Sequence, residues 1–136
     1  MEHKVLMIES SCSNSRWCDR LKNKFDETNK DKVKAIKCQD STFYPSFAYS
    51  TKYLPWFIKQ VQQCDVVVIN ISEMDEFEER ELSIVRAVNI ISDKNIPIVG
   101  FGSSEYEQPG KFEEILCYRS ECLDDVVDFV NGNVFI

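Results

Sequence analysis

The chain has 136 residues, 43% of them apolar and 29% charged, with a formal net charge of −7. A chain of this length is one domain of ordinary size and can bury a core without staples. Its negative charge argues against a nucleic-acid partner, because phosphates would be repelled and no basic run offsets it. No stretch approaches the roughly 18 apolar residues of a membrane span. The opening MEHKVLMIESS runs directly into a strand-like segment without a secretory pattern. These features predict a soluble, cytoplasmic protein of one domain, residues 1–136.

Taken in chain order, KVLMI (4–8) reads as a short buried strand. In SRWCDRLKNKF (15–25), Trp17, Leu21 and Phe25 recur at i, i+4, i+8, a helical face. DKVKAIKC (31–38) reads as a second strand, and QDSTFYPSFAYSTKY (39–53) as a polar and aromatic loop. LPWFIKQVQQ (54–63) predicts a helix, with Pro55 tolerated in its first turn. CDVVVINIS (64–72) is a continuous apolar strand of the kind buried on both faces of a parallel sheet. A long helix over 76–94 and a strand over 95–102 follow. EILCY (114–118) reads as a last short strand, and SECLDDVVDFVNG (120–132) as a closing helix, with Ser120 as N-cap and Gly132 as stop.

The alternation of strands and helices predicts an α/β fold with three layers: a parallel sheet of about five strands between two layers of helices. The commonest order for five such strands, as in flavodoxin-like folds, is 2-1-3-4-5. Ligands bind such sheets beyond the carboxyl ends of the strands. The loops after Ile8, Cys38, Ile71 and Phe101 therefore form the expected functional edge. The six cysteines include no C-x-x-C pair, and the single histidine, His3, stands near the start of the chain. This spacing argues against a metal site and against a disulfide framework. Most of the cysteines read as small buried apolar residues.

The stretch DEFEEREL (75–82) places five carboxylates in eight residues. On a helical projection of about 100° per residue, Phe77, Ile84, Val88 and Ile91 fall within about 60° of one another, and this arc reads as the core stripe. Glu76, Glu78 and Glu79 suit the helix start, where the dipole stabilises acids by about 0.3–1 kcal/mol each. Glu81 falls instead between Phe77 and Val88, on the apolar side. Two readings of it stay open: a structural acid with a partner, or a group for acid–base work or for binding a sugar hydroxyl.

These segments together resemble a bacterial Toll/interleukin-1 receptor (TIR) domain. The resemblance spans roughly residues 4–101. Its opening lies in VLMIESSCSNSRWCDRL, where Ser10, Ser11, Trp17 and Leu21 stand in the family's serine-containing loop and W-x-x-x-L helix. CDVVVINIS, ending at Ser72, is similar to the family's second motif. Phe77 to Leu82 matches W-x-x-x-E-L with Phe for Trp. The resemblance implies an NAD-cleaving enzyme of the antiviral-defence (Thoeris-like) signalling type. Its catalytic acid would be Glu81, and its products nicotinamide plus ADP-ribose or a cyclised or transferred variant. It also implies NAD as substrate rather than a permanently bound cofactor, and a site completed by self-association. Ser10 and Ser11 would donate to phosphate or ribose, or equally, at the end of a strand, cap the first helix. Trp17, Ser72 and Phe77 occupy further motif positions near the site. Phe43 and Tyr44 belong to a dense aromatic set, with Phe47, Tyr49, Tyr53 and Trp56, that would grip the base.

More distantly, the layout is similar to that of nucleoside 2-deoxyribosyltransferases, which carry a catalytic Glu at an equivalent helix start; their glycine-containing segment is missing here. A non-catalytic TIR-like or receiver-like interaction domain is the competing class. For a phosphorylated receiver, the acceptor position is Asn70 rather than Asp. A flavodoxin-like reading of SSCSNS meets Ser13 where the flavin loop has glycine. A phosphatase reading of Cys12 meets Cys18 where the arginine belongs.

Overall fold

Lysines Lys32, Lys34 and Lys37 mark one outer strand of the sheet, and a strand of only three residues forms the other. Both are means of blunting a sheet edge against further pairing. In the computed structural model, which describes residues 2–8, 16–38, 52–72, 76–102 and 115–135, and of 76–79 the backbone only, the elements are β1 (Glu2–Ile8), α1 (Arg16–Thr28), β2 (Lys32–Lys37), α2 (Leu54–Gln63), β3 (Val66–Asn70), α3 (Glu76–Ser92), β4 (Ile98–Phe101), β5 (Tyr118–Ser120) and α4 (Leu123–Asn133). The five strands are all parallel, in the order β2-β1-β3-β4-β5, the predicted flavodoxin-like arrangement.

The period-two alternation of strand side chains divides the core into two. Leu6, Ile8, Val67, Ile69 and Ile98 face one way, covered by Tyr53, Phe57 and Val61 of the α2 segment and Leu82, Val85 and Val88 of α3. Val5, Met7, Val66, Val68 and Val99 face the other way, covered by Trp17, Leu21 and Phe25 of α1 and Leu123, Val126, Val127 and Val130 of α4. The unbroken apolar runs of β1 and β3 thus follow from burial on both faces. Among the described residues, no helix is long and apolar enough to cross a membrane.

Several expected boundaries move. The last strand is Tyr118–Ser120 and not EILCY, with Ile115 in a turn before it. β5 joins β4 through the pairs Val99–Tyr118, Gly100–Arg119 and Phe101–Ser120, and a strand ending at Tyr118 would miss the last two. Ser120 therefore lies in β5, and the cap of α4 is Cys122. The Ser120 hydroxyl still supports the turn, accepting the Cys122 N–H at 3.1 Å. Gly132 lies within α4, which runs on to Asn133.

The largest correction concerns the stripe of α3. Glu81, Leu82, Val85 and Val88 are buried, whereas Ile91 is 84% exposed. The buried arc is rotated by roughly a quarter turn from the one expected from Ile84 and Ile91. Leu82 and Val85 seat the helix on the sheet, while Asn89 ties its last turns to the segment before β4 by a pair of hydrogen bonds with the Ile96 backbone, at 3.1 and 3.2 Å. Glu81 lies within the buried arc, between Val88 and Val85.

At the carboxyl edge, Gly102 has a φ of +111°, a conformation natural only to glycine. A Cβ there would stand 2.1 Å from Ser72 Oγ. Gly102→Ala is expected to lower stability by about 1–3 kcal/mol through strain and clash together. Adding Ser72→Gly should recover only the clash portion, as measured by chemical denaturation.

Candidate functional site

Three segments converge on the α2–α3 face near the carboxyl edge of the sheet. The chain leaves β2 at Cys38, whose N–H bonds to the Met7 carbonyl at 3.0 Å, so Cys38 is held beside the end of β1. Lys52 and Tyr53 form a wide π-type turn that leads into α2, a local geometry frequent at functional positions. Glu81 lies in the second turn of α3, the helix that follows β3.

Glu81 has no exposed surface and is, among the described residues, the one buried charged side chain. Its Oε1 accepts the Tyr53 hydroxyl at 2.7 Å. Tyr53 is itself fully buried, and its ring lies parallel to Phe57, with 6.0 Å between centroids. Packing therefore fixes the direction of the hydroxyl. Cys38 completes the group. Its thiol is held well above the usual thiol range, first by burial, then by the negative charge of Glu81. Cys38 is therefore a neutral thiol across the physiological range, not a thiolate nucleophile. The carboxylate thus sits within an apolar core cluster, its Oε1 addressed by a phenol. Such a donor favours the ionised form and offsets part of the cost of removing it from water.

The structure separates the other sequence-derived candidates. Trp17 is buried on the opposite face of the sheet from Glu81, its ring 5.6 Å from that of Phe101. Ser72 is exposed at the end of β3, where its N–H bonds to Asn70 Oδ1 at 3.0 Å. Ser10, Ser11, Phe43 and Tyr44 lie outside the described residues, as does the side chain of Phe77. Of the wider aromatic set, Tyr53 reaches Glu81, and Trp56 packs at the margin of the same core with its ring 5.9 Å from that of Tyr53. Cys38 was expected only as a small buried residue; its place at the end of β2, on the functional edge, was the available signal. A surface hollow of about 260 Å³, lined by Arg86, Asn89, Ile90, Ile96, Ile115 and Cys117, opens toward the amino end of β4. It lies at the other end of the sheet from the Glu81 group. Among the described residues, no three His, Cys, Asp or Glu side chains are grouped as a metal-binding set.

No protein-family model matches the chain, and no curated protein matches it in sequence.

Proposed function

We propose that the chain cleaves the N-ribosyl bond of NAD or a related nucleotide, with Glu81 as the acid that meets the developing positive charge. The observation that carries this reading is the Glu81 carboxylate near the start of the helix after β3, oriented by the Tyr53 hydroxyl. Its full burial by itself suits a structural acid, and contact with substrate requires the side chain to become exposed. A bond of this kind breaks through an oxocarbenium-like state. A carboxylate fixed in a dry setting stabilises such a state far better than one in water, and it can also hold ribose hydroxyls or act as nucleophile. Substrate would bind in the crevice beyond the carboxyl ends of β1 and β3, where the strand order reverses. The TIR resemblance supports the same residue and the same bond, and with it a role in bacterial defence signalling.

The test is NAD consumption by the purified protein, in dilute solution and at high concentration, since sites of this type are completed by assembly. Wild type is expected to turn NAD over in at least one condition, and Glu81→Gln to lose at least about 100-fold. Full turnover by Glu81→Gln, or none by wild type in either condition, overturns the reading.

A second reading, a non-catalytic interaction domain, is favoured by a different observation. Ile90 and Ile91 stand 77% and 84% exposed on α3. Adjacent apolar side chains in solvent suit a contact surface. Self-association that Ile90→Lys abolishes, together with absence of turnover, would select it.

A further inference from the structure

We infer that Tyr53 is a positioning residue for Glu81, forming with it one buried phenol–carboxylate unit. The inference rests on the proposed role of Glu81 and assigns a residue that acts through it.

The geometry supports a unit rather than a chance contact. The two side chains come from different elements: the turn before α2, and α3. Tyr53 belongs to a single core cluster with Leu82 and Val85, the neighbours of Glu81 on its helix. It is locked by ring packing against Phe57 and Trp56, so its hydroxyl meets Oε1 without searching rotamers. A carboxylate required to meet charge at one point in space needs its own orientation fixed by such a neighbour. The Cys38 thiol lies close enough to feel the charge of Glu81. Among the described residues, no lysine or arginine is buried.

The Tyr53 donor favours the ionised carboxylate. Removing it should raise the midpoint of Glu81 titration and leave the fold intact. The experiment is a pH titration of the glutamate side-chain carboxyl resonances by 13C NMR in the full chain, with Glu81 identified by its loss in Glu81→Gln. Tyr53→Phe retains the ring and is expected to move the midpoint up by about one unit or more. A purely packing role for Tyr53 would leave this midpoint unmoved. An unchanged midpoint in Tyr53→Phe overturns the inference, as does a Glu81 resonance that fails to titrate in every variant.

Turnover is read separately on the same proteins. Tyr53→Phe should lower kcat about tenfold or more with KM little changed. Shifted midpoints without NAD turnover in wild type would sink the proposed function and leave the positioning unit standing. Turnover with unshifted midpoints would do the reverse.

Discussion

Replacing Glu81 by Leu and Tyr53 by Phe together is expected to stabilise the protein, by up to about 4 kcal/mol. Taking a carboxylate out of water costs several kcal/mol, and a neutral donor returns only part of that. Apolar side chains of similar volume remove the cost from both partners at once and keep the core filled. The single changes should behave differently. Glu81→Leu leaves the Tyr53 hydroxyl in the core without the Glu81 acceptor, and Tyr53→Phe leaves the carboxylate without that donor. Each is expected to be neutral or destabilising, by up to about 3 kcal/mol. The two substitutions therefore couple strongly, and a double-mutant cycle measures the coupling. For a chain of this size each kcal/mol moves the thermal midpoint by roughly 3–4 °C, so calorimetry resolves the effect.

The sign of this result bears on function. A carboxylate kept where leucine would be more stable has a use other than stability, the ordinary trade at active sites. A double variant more than about 1 kcal/mol less stable than wild type would show that the Glu81–Tyr53 pair holds the fold together. The catalytic assignment would then lose its physical ground.

The order of elements was legible because apolar runs and helical spacing are local. VVVIN could sit only in a sheet covered on both faces, and Trp17, Leu21 and Phe25 could share only a helical face. What was not legible depended on tertiary contact. The stripe of α3 shifts because Ile91 is as apolar as Leu82 and Val85; only seating against the sheet decides which arc is covered, and it leaves Ile84 at the margin of the core and Ile91 in solvent. EILCY was misread because its apolar residues suggest a strand, whereas Tyr118, Arg119 and Ser120 are the residues in register with β4. Within the site, the separation of Glu81 from Glu76, Glu78 and Glu79 followed from helical geometry. Its partner did not. Tyr53 is 28 positions away in the chain, and no local pattern joins it to Glu81.

Alkaline pH is expected to destabilise the protein through its buried thiols, and Cys64 should carry the largest resolvable share. The Cys64 thiol is pushed up to about 12 from a usual value of 9.0, first by burial and then by the charge of Asp65. Its Sγ donates to the Val61 carbonyl at 3.3 Å, a bond that only the protonated form makes. In the unfolded chain the thiol ionises from about pH 9 upward, while in the folded chain it stays protonated. The unfolded state therefore binds fewer protons in that window, and stability falls as pH rises through it. The contribution is fully present below pH 9 and is lost at up to about 1.4 kcal/mol per pH unit, reaching about 4 kcal/mol by pH 12. Cys38, also raised, adds to the loss in the same direction. Lysines and tyrosines titrate over the same range, so the informative quantity is a difference between proteins. Cys64→Ala should be less stable than wild type at pH 8, by about 1 kcal/mol for the lost volume. It should then gain on wild type steadily as pH rises, overtaking it before pH 11. Denaturant titrations at half-unit steps, followed by the fluorescence of Trp17 and Trp56, measure the gap. A gap that stays constant from pH 8 to pH 11 would mean that Cys64 ionises equally easily in both states, and that the core of this face is open to water where the structure shows it sealed.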